Sequence, residues 1–213
     1  MTETKAYSRK GFFGEFLSVF KRGLAHHVDS KLNKLLQAPI RPPGALDELE
    51  FLSSCTRCNA CAEACPVNAI QRMPLDSGIG ANSPYIAPRI QACVLCDGFP
   101  CIRACEQGAL VPVTPERLGM GTAVVDTESC QTFANKTCSL CYDACPYPER
   151  ALTIDDDFHP KVLAACVGCG ACEQRCPVAP TGIKVLSPSR YRAERAESEL
   201  YFGVLKKGDE EKD

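Results

Sequence analysis

The sequence predicts an α+β fold: two small modules of short strands and short helices, preceded by an amphipathic helix. Three observations lead there. Sixteen of the 213 residues are cysteine, and they fall into four groups of four with none left over. Short β-like runs flank the groups. The apolar share, 45% with cysteine included and no Trp at all, is thin for one conventional core of this length. The expected organisation is a basic amphipathic helix over 1–40, a cysteine-rich body over 41–186, and a helix with a polar tail over 187–213.

The cysteine groups carry the chemistry. The first is Cys55, Cys58, Cys61 and Cys65, and the fourth is Cys166, Cys169, Cys172 and Cys176. Both read C-x2-C-x2-C-x3-C-P, the bacterial ferredoxin signature for a [4Fe–4S] cluster. The second, Cys93, Cys96, Cys101 and Cys105, has a four-residue gap, with Glu106 in place of the following Pro. The third, Cys130, Cys138, Cys141 and Cys145, opens with a seven-residue gap. Two-residue spacings wrap a loop so that three thiolates reach one cube. The fourth thiolate points to the neighbouring cube, and Pro66, Pro146 and Pro177 fix φ just after it. Zinc also uses C-x2-C, but one tetrahedral ion takes two knuckles on a longer loop, and these runs overfill that pattern. Spacings this tight suit few disulfides, and no C-x-x-C is followed by the His that haem c needs.

Each unit reads strand, cysteine loop, short helix, strand. The runs before quartets are Tyr85-Ile86, Thr122–Val125 and Lys161–Leu163; those after are Ala69-Ile70, Ala109–Val111, Ala151–Ile154 and Gly182–Val185. This is the two-cluster ferredoxin unit used twice, which predicts four [4Fe–4S] clusters. Tandem pairing would join the first quartet with the second and the third with the fourth. Nested pairing would join first with fourth and second with third, and the likeness of the two regular quartets favours it. In the nested order Cys55, Cys58 and Cys61 share a cube with Cys176, and Cys166, Cys169 and Cys172 with Cys65. Cys93, Cys96 and Cys101 then take Cys145, and Cys130, Cys138 and Cys141 take Cys105.

Cluster ligands bind as thiolates, so each oxidised cube with its four ligands carries a net charge of about −2. Four of them move the formal charge of −2 to roughly −10, an acidic body suited to basic partner surfaces. Binding energy in such sites is also folding energy, so the apo-protein should lack a stable fold. The small residues beside the cysteines (Ala60, Ala62, Ala64, Gly168, Gly170, Ala171) let backbone approach the sulfurs.

At the amino end, Ser8-Arg9-Lys10-Gly11-Phe12-Phe13 is similar to a twin-arginine export motif. Glu15 and Lys21-Arg22 break the apolar run expected after it, and no A-x-A cleavage site follows. Phe12, Phe16, Phe20, Leu24, Val28, Leu32 and Leu36 recur every four residues, a helical stripe. Lys and Arg outnumber acidic residues eight to two between Lys5 and Arg41. Packing on protein is the favoured reading of this helix; peripheral membrane contact through residues 10–36 is the other. No run of apolar residues is long enough for a transmembrane helix, and the charge gives no reason to expect nucleic acid. Arg41-Pro42-Pro43-Gly44 reads as a stiff linker. His26 and His27 read as helix surface and His159 as a structural loop residue. Ser189 is the expected N-cap of the last helix, with Arg190–Glu194 and Arg195–Glu199 as i,i+4 pairs.

The Arg-Pro-Pro-Gly-Ala lead-in at 41–45, Phe51 and C-x-R-C at 55–58 resemble the MauM/NapG-type polyferredoxins. So do the four-residue gap of the second quartet and the Gly119–Asp126 run into the third. The resemblance spans residues 41–186. It implies four [4Fe–4S] clusters with all sixteen cysteines as ligands. It also implies electron transfer beside a membrane quinol-oxidising protein, feeding a reductase such as periplasmic nitrate reductase, or a role in methylamine utilisation. Exported members of that family carry a full twin-arginine signal, which Lys10 interrupts here. The NapF-type maturation ferredoxin shares the Ser-Arg start and the seven-residue gap.

The expected function is therefore an electron carrier with redox partner proteins and no substrate chemistry of its own. No nucleotide-binding glycine pattern and no catalytic triad is present. The alternatives are an accessory protein for maturing a partner enzyme, and the electron-transfer subunit of a molybdenum oxidoreductase. The expected compartment is the cytoplasm, with membrane association only under the second reading of the amino-terminal helix; the alternative is the periplasm, by twin-arginine export.

Overall fold

A computed structural model describes residues 38–196, the side chain of Glu116 excepted. The expected amino-terminal helix, with His26 and His27, and the polar tail lie outside the described residues. Among the described residues, five short helices and six short strands are arranged as two modules in sequence order, and one more helix begins at residue 188. The first contains α1 (Glu48–Ser54), α2 (Ala60–Glu63), β1 (Ile70–Arg72), β2 (Pro84–Ile86) and α3 (Pro100–Arg103). The second contains β3 (Thr122–Val125), α4 (Leu140–Asp143), β4 (Leu152–Ile154), β5 (Pro160–Val162), α5 (Ala171–Arg175) and β6 (Ile183–Leu186).

Strand pairing follows one rule in both modules. The strand after a module's first quartet pairs antiparallel with the strand before its second: β1 with β2, Gln71 opposite Tyr85, and β4 with β5, Thr153 opposite Lys161. The strand before the first quartet pairs with the strand after the second. In the second module this is β3 with β6, four residues long, from Thr122↔Leu186 to Val125↔Ile183. In the first module it is the shorter bridge Ala45↔Leu110, extended by Val111 N–H to Gly44 O at 2.7 Å. Every β-like run read from the sequence overlaps one of these pairs, with ends shifted by one or two residues: Ala69, Ala151, Leu163 and Gly182 lie just outside the strands. Strands this short are marginal alone, so apolar side chains turned inward hold them. Phe51, Ile70, Ile86, Leu110, Leu152, Ile183 and Leu186 are all buried.

The lead-in at 41–44 is no linker. Pro42 and Pro43 are buried, and the Arg41 side chain sits inside the first module. Its guanidinium donates to both carboxylate oxygens of Glu48 (2.6 and 2.9 Å), to Ser83 Oγ (2.8 Å) and to Pro84 O (2.7 Å). It also lies 4.6 Å from the centre of the Phe51 ring. Gly44 has φ +74, and a Cβ there would meet Val111 O at 2.2 Å. The local Pro-Pro stiffness was legible; its tertiary partners were not.

The last helix begins earlier than expected. Residues 188–196 are helical, and Tyr191 N–H bonds Ser187 O at 2.8 Å, so the cap is the buried Ser187, with Pro188 opening the helix. The Arg190–Glu194 pair is formed at 3.2 Å; Arg195–Glu199 reaches outside the described residues. His159 stacks on Phe133 with ring centres 4.0 Å apart, a structural role. Among the described residues, no helix is long and apolar enough to cross a membrane.

Candidate iron–sulfur centres

Each quartet wraps a loop that opens into a one-turn helix. The residue before that helix takes a left-handed backbone in three of the four: Asn59 (φ 75), Phe99 (φ 40) and Gly170 (φ 86). Such a kink reverses the chain between the second and third cysteines of the quartet, so that their thiols face one space. The fourth cysteine lies past the helix and faces the other way. In three quartets its sulfur accepts a backbone N–H from the strand region beyond: Ala69 to Cys65 (3.3 Å), Leu110 to Cys105 (3.4 Å) and Gly182 to Cys176 (3.3 Å).

The sixteen thiols gather around four cavities, four to each. Cys55, Cys58 and Cys61 share theirs with Cys105. Cys93, Cys96 and Cys101 share theirs with Cys65. Cys166, Cys169 and Cys172 meet Cys145, and Cys130, Cys138 and Cys141 meet Cys176. The nested order is therefore overturned and the pairing is tandem. Cys65 stands with Cys93–Cys101 instead of Cys166–Cys172, and Cys105, Cys145 and Cys176 change partners likewise. The cause is the β1–β2 and β4–β5 hairpins, which bring consecutive quartets together. The signal was in the sequence: Ala69-Ile70 and Tyr85-Ile86 are consecutive strand runs, and consecutive strands most often pair. Pro66, Pro146 and Pro177 each line the cavity that the preceding cysteine enters.

No disulfide links any of the sixteen cysteines. Among the described residues, no three or more Cys, His, Asp or Glu side chains converge on one metal ion. Four thiols surrounding a space, without meeting at a point, suit a polynuclear cluster better than tetrahedral zinc. The electrostatics agree. Burial, then the neighbouring Cys55, Cys101, Cys105 and Cys58, push the Cys61 thiol up to about 12. Burial first, with nearby thiols adding to it, raises Cys93 to about 12 and Cys101, Cys141 and Cys169 to about 11; Cys172 is raised for the same reasons. Thiols raised in this way do not ionise at neutral pH without a cation beside them. Cys176 is the exception. Burial raises it, but the Thr181 hydroxyl and the N–H groups of Val178, Gly182 and Ile183 together outweigh that and hold it below the usual thiol value.

The small residues serve two purposes. Backbone donors to sulfur include Ala69, Leu110, Gly182 and Ala123, which reaches Cys166 at 3.4 Å; of the small residues expected from the sequence, Ala171 donates in this way to Cys169. Gly168 and Gly170 instead permit close packing. A Cβ on Gly168 would fall 2.4 Å from Gly121 N, and one on Gly170 would fall 2.3 Å from Pro88 Cβ.

Two segments match models described as a 4Fe-4S binding domain, residues 51–71 and 166–179. Over 187 residues the chain is 36% identical to the ferredoxin-type protein NapG of Escherichia coli, covering 81% of this chain and 80% of that protein. The chain belongs to the NapG/MauM family of ferredoxin-type proteins. It is 35% identical over 174 residues to the methylamine utilization ferredoxin-type protein MauM of Methylorubrum extorquens, covering 76% of this chain and 79% of MauM. The ferredoxin-type protein NapF of Escherichia coli is 32% identical over 143 residues, 65% of this chain and 80% of NapF. No solved structure matches. As a NapG/MauM-type ferredoxin the chain is an iron–sulfur, electron-transfer protein, and its 4Fe-4S matches fall on the first and fourth quartets.

Proposed function

We propose that this NapG/MauM-type protein holds four [4Fe–4S] clusters, one in each four-cysteine cavity, and relays electrons from a membrane quinol-oxidising partner to a terminal oxidoreductase. The observation that carries the reading is the distribution of the thiols: sixteen cysteines, four cavities, four to a cavity. When bound, such a cluster supplies one-electron oxidation and reduction. Everything else belongs to the chain. Cys55, Cys58, Cys61 and Cys105 would hold the first cluster and Cys65, Cys93, Cys96 and Cys101 the second. Cys145, Cys166, Cys169 and Cys172 would hold the third, and Cys130, Cys138, Cys141 and Cys176 the fourth. The backbone N–H groups on Cys65, Cys105, Cys166 and Cys176 stabilise negative charge at those sulfurs, while Phe51, Ile86, Val167 and Ile183 keep water away from the cavities.

The cavities also have an order. Cys101 lies near enough to Cys61 to hinder its ionisation, as Cys169 does for Cys93 and Cys141 for Cys172. That supports a line running from the first quartet's cavity, through those of the second and fourth quartets, to that of the third. Each end of such a line suits a different partner. The acidic holoprotein favours partners with basic docking faces; residues 10–36 are proposed to pack on protein, with peripheral contact to the membrane surface from the cytoplasmic side as the alternative.

The experiment is anaerobic purification with iron and sulfide counted per chain, followed by reduction with quinol through the membrane partner. About sixteen irons per chain and reduction at turnover rates are expected. Clusters that stay oxidised, with partner maturation lost when the protein is deleted, would replace the relay with an assembly role. Liposome flotation with and without residues 1–38 tests the membrane contact.

A further inference from the structure

The two modules meet where the second-quartet loop touches the fourth. Cys93 N–H donates to Cys169 O at 3.0 Å, joining the backbones of a cysteine from each module. Around this bond, Ala92 N–H reaches Gln174 Oε1 at 3.3 Å, and the Gln174 amide donates back to Ile90 O at 3.3 Å. Pro88 packs against Gly170 so closely that no side chain fits there. The outermost contact is Arg89. Its guanidinium crosses to α5 of the other module and donates to Glu173 O (3.0 Å), Cys176 O (2.5 Å) and Val178 O (3.1 Å). These carbonyls lie at and just beyond the C-terminal end of α5, where a cation is favoured; Glu173 O also accepts the Cys176 N–H at 3.3 Å. A planar fork with several N–H groups satisfies three of them at once, which a lysine could not.

We propose that Arg89 is a positioning residue: a cap supplied by the first module to a helix of the second, which locks the Cys93–Cys169 contact and so sets how close the two inner cavities stand. Its importance for electron relay rests on the function proposed above; the clamp itself does not. Each module has its own sheets and its own eight cysteines, so the junction can loosen while both stay folded. Arg89 donates across it from an exposed side chain, where truncation leaves no cavity.

The test is hydrogen exchange read by mass spectrometry on the purified holoprotein, comparing wild type with Arg89→Ala and Arg89→Lys. In Arg89→Ala, which loses all three charge-assisted hydrogen bonds, exchange in the peptide covering residues 90–96 accelerates at least about tenfold, the effect of even one such bond on a local opening. Peptides from the β1–β2, β3–β6 and β4–β5 sheets keep wild-type protection and the iron content is unchanged. Arg89→Lys falls between. In the fully reduced protein, electron-spin coupling between the two inner cavities weakens in Arg89→Ala while coupling within each module persists. Wild-type exchange at 90–96 in Arg89→Ala overturns the proposal, and so does acceleration spread equally over all three sheets. If the wild type holds fewer clusters or is not reduced by its partner while the exchange result stands, the relay falls and the clamp remains.

Discussion

Arg41 ties the lead-in, α1 and β2 together, and its replacement by Met isolates the polar part of that tie. Methionine keeps most of the stem packed on Phe51 and removes the guanidinium. Breaking a buried ion pair costs about 3–5 kcal/mol because the remaining charge is stranded. Here Glu48 keeps 27% of its side-chain surface, against 7% for Arg41, so it recovers part of its hydration and the lower end applies. Ser83 Oγ retains its bond to Gly80 O, whereas Pro84 O loses the Arg41 donor. The face of Phe51 loses a cation worth about 1 kcal/mol. The expected loss is roughly 4 kcal/mol, a fall of about 8–16 °C in melting temperature for a domain of this size. The assay is anaerobic thermal unfolding of the holoprotein, followed by near-UV circular dichroism and cluster absorbance together. Arg41→Lys keeps the charge but not the two-pronged geometry and should lie between the two. A change below about 0.5 kcal/mol in Arg41→Met, the range of ordinary surface substitutions, would show that the network contributes nothing net.

Four further outcomes are expected. Cys105→Ser should perturb the electron paramagnetic resonance signal of the cluster held with Cys55, Cys58 and Cys61 and spare that of its own quartet; the nested order assigns Cys105 to Cys130, Cys138 and Cys141. Gly168→Ala combines a positive φ with a Cβ 2.4 Å from Gly121 N and should cost more than about 2 kcal/mol. Gly108→Ala, at φ +67 with nothing within 4 Å, should cost only about 1 kcal/mol; urea midpoints of the two variants separate clash from backbone strain. Iron chelation should abolish the near-UV dichroism, because the apolar contacts cannot hold the fold alone, and a cooperative transition in the apo-protein would contradict this. Raised thiols are protonated at neutral pH and lose their protons to bind iron. Cluster reconstitution should therefore release acid and become more complete from neutral to mildly alkaline pH, as measured by iron bound per chain.

The quartets were fully legible in the sequence, because ligand spacing is local: two residues between thiols is a property of one loop. The strands were legible for the same reason, down to Thr122–Val125. What escaped was the assignment of Cys65, Cys105, Cys145 and Cys176, since these face away from their own loops and their partners depend on which strands pair. Likeness between the first and fourth quartets reports the shape of a loop and says nothing about its neighbour. Arg41 escaped for a related reason. Beside two prolines it looks like part of a spacer, and only the positions of Glu48, Ser83 and Phe51, fixed by tertiary packing, make it a core residue. Arg89 left no signal of its own, since its three acceptors are backbone carbonyls more than eighty residues away.

The tandem order has a consequence for how the protein is made. Chains emerge from the ribosome amino end first, at about 5–20 residues per second. All eight cysteines of the first module precede residue 106, so that module can close and take up its metal while the second is still being translated. In a nested arrangement Cys55 would wait for Cys176, its thiol exposed through most of synthesis to oxygen and stray metals. Contiguity thus shortens the time during which any thiol is unprotected, and it lets the finished half present Arg89 as a ready template when the second half arrives.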